Sequence, residues 1–178
     1  DPDRGQLTNG YLLDRGAMLA APPFHGTRCR FRTCYPVTLW PIEIASVRFE
    51  APDRFGTVPK AMTVLRMELR CRGAAFADLS LETLRFFLHG EGQVTYPLYE
   101  LLLNHTCQVQ LRDLGDRSIL KPIVLQPQCV QPVGFAANEG LLPYGARSFL
   151  GYRLLQEYFT FPEKFLFVDV AGFERAAR

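Results

Sequence analysis

Thr63-Val64-Leu65-Arg66-Met67-Glu68-Leu69-Arg70-Cys71 is the most regular stretch of the chain. Successive side chains of a strand point to opposite faces. Leu65, Met67, Leu69 and Cys71 therefore share one side, and Arg66, Glu68 and Arg70 share the other. Alternation this strict marks an antiparallel strand with one packed and one solvated face. Such a strand is marginal alone and needs strand neighbours and a cover for its apolar side.

Both are found on moving outward from it. Downstream, Thr83 to His89 is a second strand with Leu84, Phe86 and Leu88 aligned. At Gly90-Glu91-Gly92 the period changes, and Val94, Leu98, Leu101, Leu102 and His105 form one stripe of an amphipathic helix. Pro97 is placed in its first turn or so, where a missing N–H is harmless. Asn104-His105 suits its end. Cys107, Val109 and Leu111 return as a strand. Upstream, Glu43 to Glu50 and Thr27 to Thr38 read as extended. Pro36 and Pro41 keep these strands short, edge-like or bulged. The first 26 residues are irregular, with Gly5, Gly10, Gly16, Gly26 and Pro22-Pro23, and only Tyr11 to Leu13 and Ala17 to Ala20 suit pairing. Ala51 to Lys60 is a polar loop.

The C-terminal part repeats this order. Ile119 to Phe135 is extended and broken by Pro122, Pro127 and Pro132, and a Gly/Pro loop runs through Gly145. Phe149, Tyr152, Leu155, Tyr158 and Phe159 mark a second amphipathic helix, Pro162 stops it, and Lys164 to Val170 is an apolar strand. Strand–turn–helix–strand thus occurs over about 27–112 and again over 113–172. That is compatible with two subdomains related by duplication, although the halves share order and little sequence. The expected class is α+β: mostly antiparallel sheet with two amphipathic helices packed on it.

Composition agrees with a folded core. The 178 residues are 48% hydrophobic and 12% aromatic, which excludes a disordered tail, a collagen-like repeat or a disulfide scaffold. The net charge is +2 with signs interleaved, unlike the concentrated basic patch of a nucleic-acid binder. Arg28, Arg30 and Arg32 come nearest to one, and read either as a solvated strand face or as a contact for an anion. The five cysteines are widely spaced without a C-x-x-C pair, so neither a zinc ribbon nor a disulfide framework fits. Cys29, Cys71 and Cys107 occupy apolar positions, as buried thiols in a reducing compartment would. No run is long enough to span a bilayer and no signal peptide opens the chain, so the expectation is a soluble, cytoplasmic protein without membrane insertion.

No catalytic, cofactor-binding or metal-binding residue is expected. His25, His89 and His105 have no H-E-x-x-H setting. Ser46, Ser80, Ser118 and Ser148 lie outside any nucleophile elbow, and Asp113, Asp116 and Glu139 do not stand out as an acid–base pair. Gly90-Glu91-Gly92 lacks the further glycine of a dinucleotide turn and the Gly-Lys of a phosphate loop.

Four stretches carry a resemblance. They are His89-Gly90-Glu91-Gly92 with Tyr96-Pro97-Leu98-Tyr99-Glu100-Leu101-Leu102-Leu103-Asn104-His105; Phe31-Arg32-Thr33 leading to Val37-Thr38-Leu39-Trp40-Pro41; Gly134-Phe135 through Glu139-Gly140-Leu141-Leu142-Pro143-Tyr144; and Gly151-Tyr152-Arg153-Leu154-Leu155-Gln156-Glu157-Tyr158-Phe159, continuing to Phe167. In this order, over roughly 27–170, the chain resembles the TssF (VasA, ImpG) family of type VI secretion baseplate subunits. The resemblance implies a structural, non-enzymatic role: wedges with TssG, TssE and TssK around the VgrG spike, supporting the sheath and tube, at the cytoplasmic face of the inner membrane. It also implies a second TssF copy as a partner. Family members are longer than 178 residues, and the chain starts at Asp1 rather than Met, so it is expected to be an internal portion.

The resemblance does not single out contact residues. Trp40, Tyr96, Tyr99, Tyr144, Tyr158, Phe161 and Phe165 are large enough to anchor an interface and equally suited to a core. Leu141, Leu142 and Tyr144, in a long loop, are the chosen partner-binding candidates. Two other functions compete. One is a hydrolase-like enzyme with a pocket around His89, Glu91 and His105. The other is a β-rich module binding sugar or peptide.

Overall fold

The strand read from Thr63 to Cys71 forms, over Val64–Cys71, and what pairs with it explains a neighbouring irregularity. The computed structural model describes residues 10–55, 61–114, 121–142, 144–145 and 147–176. Gly5, residues 56–60 of the polar loop, residues 119–120 of the third extended run, and Pro143 lie outside the described residues. In chain order the strands and helices are β1 (Tyr11–Leu13), β2 (Met18–Ala20), β3 (Arg30–Arg32), β4 (Val37–Leu39), β5 (Ile42–Glu50), β6 (Val64–Cys71), β7 (Thr83–Phe87), α1 (Gly92–Asn104), β8 (Val109–Leu111), β9 (Ile123–Leu125), β10 (Val130–Pro132), α2 (Leu150–Thr160) and β11 (Phe167–Ala171). The fold is α+β, with every strand pair antiparallel.

β5 and β6 show how the sequence solves a parity problem. Ile42 and Ile44 stand at even positions, Val47 and Phe49 at odd ones, so a regular strand would send the two pairs to opposite faces. The register shifts between Ile44 and Ser46, leaving Ala45 as the extra residue of a bulge. Ile42, Ile44, Val47 and Phe49 then lie opposite Cys71, Leu69, Met67 and Leu65 on one apolar face. The other face is a ladder of charge: Arg48 bonds Glu50 and Glu68 at 2.7 and 3.1 Å, Arg66 bonds Glu50 at 3.2 Å, and Arg72 pairs with Glu43. Burial would raise the Glu50 carboxyl, but the hydrogen bonds and charges of Arg48 and Arg66 hold it below its ordinary value.

Residues 11–39 make a single arm. β1 pairs with β4 (Tyr11 opposite Leu39) and β2 with β3 (Met18 opposite Arg32) in one continuous register. The expected strand over Thr27 to Thr38 is thus split by a break at Thr33–Pro36. Thr33 stitches that break: its N–H donates to the Ala17 carbonyl at 3.1 Å and its hydroxyl to the Asp14 carbonyl at 2.6 Å. The Ala17 N–H in turn donates to Thr33 Oγ1 at 2.9 Å.

The core forms where the extended segments converge. Leu79, Leu81, Leu84 and Phe173 are buried, with Trp40, Ile42, Leu69, Phe76 and Val170 packed against them. β11 sits between β10 and β7 in the three-stranded sheet, so strands from 27–112 and 113–172 share one sheet. Arg85 on β7 reaches across to Asp169 on β11 with two 2.8 Å hydrogen bonds. α1 lies against β10, and β8 pairs with β9 as a separate ribbon.

Three local expectations change. Helix α1 begins at Gly92, which makes Pro97 its sixth residue, past the first turn, and leaves the Gln93 carbonyl without its intrahelical donor. Its buried residue is Thr95, whereas Val94 and Leu101 of the expected stripe are exposed. The last strand starts at Phe167 rather than Lys164, because Pro162–Phe165 closes a short 3₁₀ turn.

Candidate functional site

Helix α2 forms where its apolar spacing predicts, but with the opposite face inward. Arg153 and Glu157, one turn apart, are 3% and 2% exposed. The aromatic stripe faces out, with Phe149 72%, Tyr152 68% and Phe159 81% exposed, and Leu155 and Tyr158 exposed as well. An amphipathic helix normally hides its apolar stripe.

The charged face is held by a network that fixes the loop of residues 134–142. Arg153 donates from Nη1 to the Ala137 carbonyl at 2.7 Å and from Nη2 to the Ala136 carbonyl at 2.8 Å. Glu157 Oε1 accepts the Leu141 N–H at 2.7 Å, and Oε2 accepts from Nζ of Lys164, which is 1% exposed. Arg153 Nε lies 3.9 Å from Glu157 Oε2 and has no hydrogen-bond partner among the described residues. The 3₁₀ turn 162–165 is what carries Lys164 to this point. On the loop itself, Glu139 Oε2 accepts the N–H groups of Gly134 and Ala136 at 2.8 and 3.0 Å. Gly134 has φ +101°, and a Cβ there would meet Lys164 Cε and its carbonyl at 3.2 Å.

The electrostatics of this clasp are uneven. Two cations, Arg153 and Lys164, share one carboxylate, so the buried triad carries a net positive charge. Burial pushes the Glu157 carboxyl up, but the Lys164 hydrogen bond, the Leu141 and Leu142 N–H groups and the Lys164 charge outweigh it and hold the carboxyl below its ordinary value. Charges are stable out of water only when paired and hydrogen-bonded, and here the pairing turns the helix inside out.

Outside the clasp lies an apolar surface. Phe149, Leu150, Tyr152, Leu155, Tyr158 and Phe159 are all exposed, and Phe149 meets Tyr152 edge-on at 5.7 Å. Together they present roughly 700 Å², given about 150–250 Å² for a whole aromatic side chain. That exceeds the largest apolar patch of a typical monomer, about 300–600 Å², and approaches the ~800 Å² one partner contributes to a standard protein interface.

The three candidate residues sit at the edge of this surface. Leu141 is half-buried and tied to Glu157 through its N–H; Leu142 is exposed; the Tyr144 hydroxyl donates to the Phe149 carbonyl at 3.2 Å. A cavity of about 450 Å³ opens beside them, and Leu142 and Tyr144 line it with Arg15, Ser148, Leu150 and Arg153. Arg15, Arg153, Glu157 and Lys164 were missed by the sequence reading. The signal available was the four-residue spacing of Arg153 and Glu157, which reads as a solvated ion pair until the loop above them is placed.

Other candidates scatter. Glu91 caps the start of α1 and His105 its end, so thirteen residues, roughly 20 Å of helix at 1.5 Å each, separate them. The pocket expected around His89, Glu91 and His105 is not assembled. His89 stands two residues beyond the last residue of β7, with its ring 6.0 Å from that of Phe87. Among the described residues no group of three or more His, Cys, Asp or Glu is placed to hold a metal, and no helix is long and apolar enough to cross a membrane. Cys107 is exposed rather than buried, because the strand it was assigned to begins only at Val109. Cys29 and Cys71 are partly buried; burial pushes the Cys71 thiol up. Arg28, Arg30 and Arg32 are exposed on the arm, Arg30 opposite Ala20 and Arg32 opposite Met18. Of the large aromatics, Phe165 is buried and Trp40 packs on the core, while Tyr96, Tyr158 and Phe161 are exposed.

Comparison with known proteins places these features. The family model described as "Type VI secretion system, TssF" matches residues 1–178. A curated relative, the type VI secretion system component TssF1 of Pseudomonas aeruginosa, is 39% identical over all of this chain, which spans 30% of that protein's length. A chain in a cryo-electron-microscopy structure of the TssK-TssF-TssG baseplate subcomplex of the type VI secretion system superposes with a TM-score of 0.76 at 28% identity, over 96% of this chain and 31% of that one. The chain therefore spans about a third of the length of the relatives it matches.

Proposed function

The chain belongs to the TssF family of the type VI secretion system, and from that membership we propose that it is a structural portion of a baseplate subunit. It works by shape and adhesion and not by catalysis. Its partners are subunits like TssG and TssK, with TssE, the VgrG spike and a second TssF copy as further neighbours, and the sheath and tube build on the resulting wedges. It acts in the cytoplasm, at the inner face of the inner membrane. The observation that carries this reading is the inverted α2. A buried charged clasp holds outward an apolar surface of the size an interface uses.

The test is co-expression of the full-length protein containing this chain with the TssG-like and TssK-like proteins of its own secretion system. A stoichiometric complex on size exclusion is expected. A well-folded protein that elutes alone sinks the proposal.

A further inference from the structure

Three features that favour negative charge meet at the 450 Å³ groove beside α2. The first is Arg15, which lines the groove from the break in the arm and whose guanidinium is exposed, with no ion pair to a described residue. The second is Arg153, almost wholly buried, with its Nε unpartnered among the described residues and its single carboxylate shared with Lys164. The third is the start of α2. Its N-cap is Phe149, which offers no side-chain acceptor, so the N–H groups of Leu150 and Gly151, next to Ser148 of the groove wall, have no side-chain cap, while that of Tyr152 donates to the Phe149 carbonyl at 3.1 Å. The nearest acids do not balance these features. Glu157 is committed to Lys164 and the Leu141 N–H, and Glu139 to Gly134, Ala136 and Arg85. Asp14, beside Arg15 in the turn, is exposed. The remaining wall is apolar, from Leu142, Leu150 and the ring of Tyr144, and it runs on into the outward aromatic face of α2.

We infer that this groove docks a protein segment bearing one carboxylate among apolar residues, supplied by another baseplate subunit. The inference rests on the proposed baseplate role and names the chemistry of the contact. The carboxylate sits between Arg15 and the start of α2, and its apolar flanks cover Leu142, Leu150 and the aromatic stripe. Two chemical facts favour an acidic side chain over a purely apolar occupant. A guanidinium covered without a partner is strongly disfavoured, and guanidinium matches carboxylate with two parallel hydrogen bonds. The uncharged outer face of α2 makes the apolar flanks equally necessary.

The experiment uses the full-length protein co-expressed with its TssG-like and TssK-like partners, with a photo-crosslinking residue in place of Leu150 and, as control, of Val47 on β5. From position 150 the crosslinked partner peptide should contain Asp or Glu beside aliphatic residues. Arg15→Glu should weaken the complex at least tenfold while thermal unfolding stays as in wild type, since Arg15 is exposed. Changing the crosslinked carboxylate to Lys should restore binding to Arg15→Glu. If folding of Arg15→Glu is in doubt, Leu150→Glu gives a second reading from the apolar wall. A crosslinked peptide without an acid, or wild-type affinity in Arg15→Glu and Leu150→Glu, overturns the groove while leaving the baseplate role standing. Absence of any complex with the wild-type protein overturns both.

Discussion

Glu157 is the residue on which the inverted helix depends. Among the described residues it is the sole carboxylate paired with Arg153 and Lys164, and it holds the N–H of Leu141 in the facing loop. Glu157→Gln leaves two buried cations with a neutral neighbour, and breaking a buried pair from one side costs about 3–5 kcal/mol. The expected result is a fall of that size in denaturant unfolding. Lys164→Met in the same background should recover part of it by removing the excess charge. The same residue sets an acid limit. Its carboxyl is held below its ordinary value in the folded protein, so its stabilising contribution is full above that value and is lost as pH falls through the depressed one. Thermal unfolding of the wild type should therefore drop below about pH 4.5, and the Gln variant should show a visibly flatter profile there. An identical acid profile in both would mean that Glu157 is not the linked group.

Elements were legible in proportion to how far local pattern decided them. β6 is strictly alternating and formed as read; β5 was read as an extended run over Glu43 to Glu50, and only the pairing shows why its apolar residues change parity. Deleting Ala45 would place Ile44 and Val47 two residues apart, so a regular strand would keep the same partners on β6 and the same apolar and charged faces, without the bulge. A change of no more than about 1 kcal/mol is expected for the deletion, and about ±0.5 kcal/mol for Ala45→Ser at the same exposed site; circular dichroism melts of the two variants check it, and a loss beyond about 3 kcal/mol on deletion would mean that Ala45 is not the extra residue. Helix α2 was legible as a helix and illegible in orientation. Periodicity states which residues share a face, not which face the rest of the molecule meets. Here the third and fourth stretches of the resemblance, Gly134 to Tyr144 and Gly151 to Phe167, meet in the clasp, and hydrogen-bond demand overrides hydrophobic pattern. Tyr152→Glu or Phe159→Glu should accordingly leave unfolding of the isolated protein within ±0.5 kcal/mol. Each should abolish or sharply weaken assembly with the TssG-like and TssK-like partners. A large loss of stability in either variant would mean the stripe packs internally after all. The chosen Leu141, Leu142 and Tyr144 lie on the rim of this surface. Its centre was missed because an aromatic helix stripe ordinarily belongs to a core.

At the scale of the whole molecule, the accessible surface is 13441 Å², whereas a compact monomer of 20.2 kDa exposes about 8,800 Å². Part of the excess has a source among the described residues. Four of the five sheets formed by the described residues have only two strands, and a lone ribbon leaves two open edges and buries too little to be stable in water. The arm of residues 11–39 is the extreme case: Tyr11, Leu12, Met18, Leu19, Phe24, Phe31 and Leu39 are all exposed along it. Its hydrogen bonds are accordingly near the low end of local stability, while those of β7, β11 and β10 are backed by the buried Leu84, Val130 and Val168. Amide hydrogen exchange separates the two. In the isolated protein the arm should exchange within seconds and the three-stranded sheet slowly. In the assembled complex, protection of the arm should rise at least tenfold and that of the sheet should hardly change. Slow exchange of the arm in the isolated protein would contradict the argument, because a two-stranded ribbon that stable has no need of a partner to cover it.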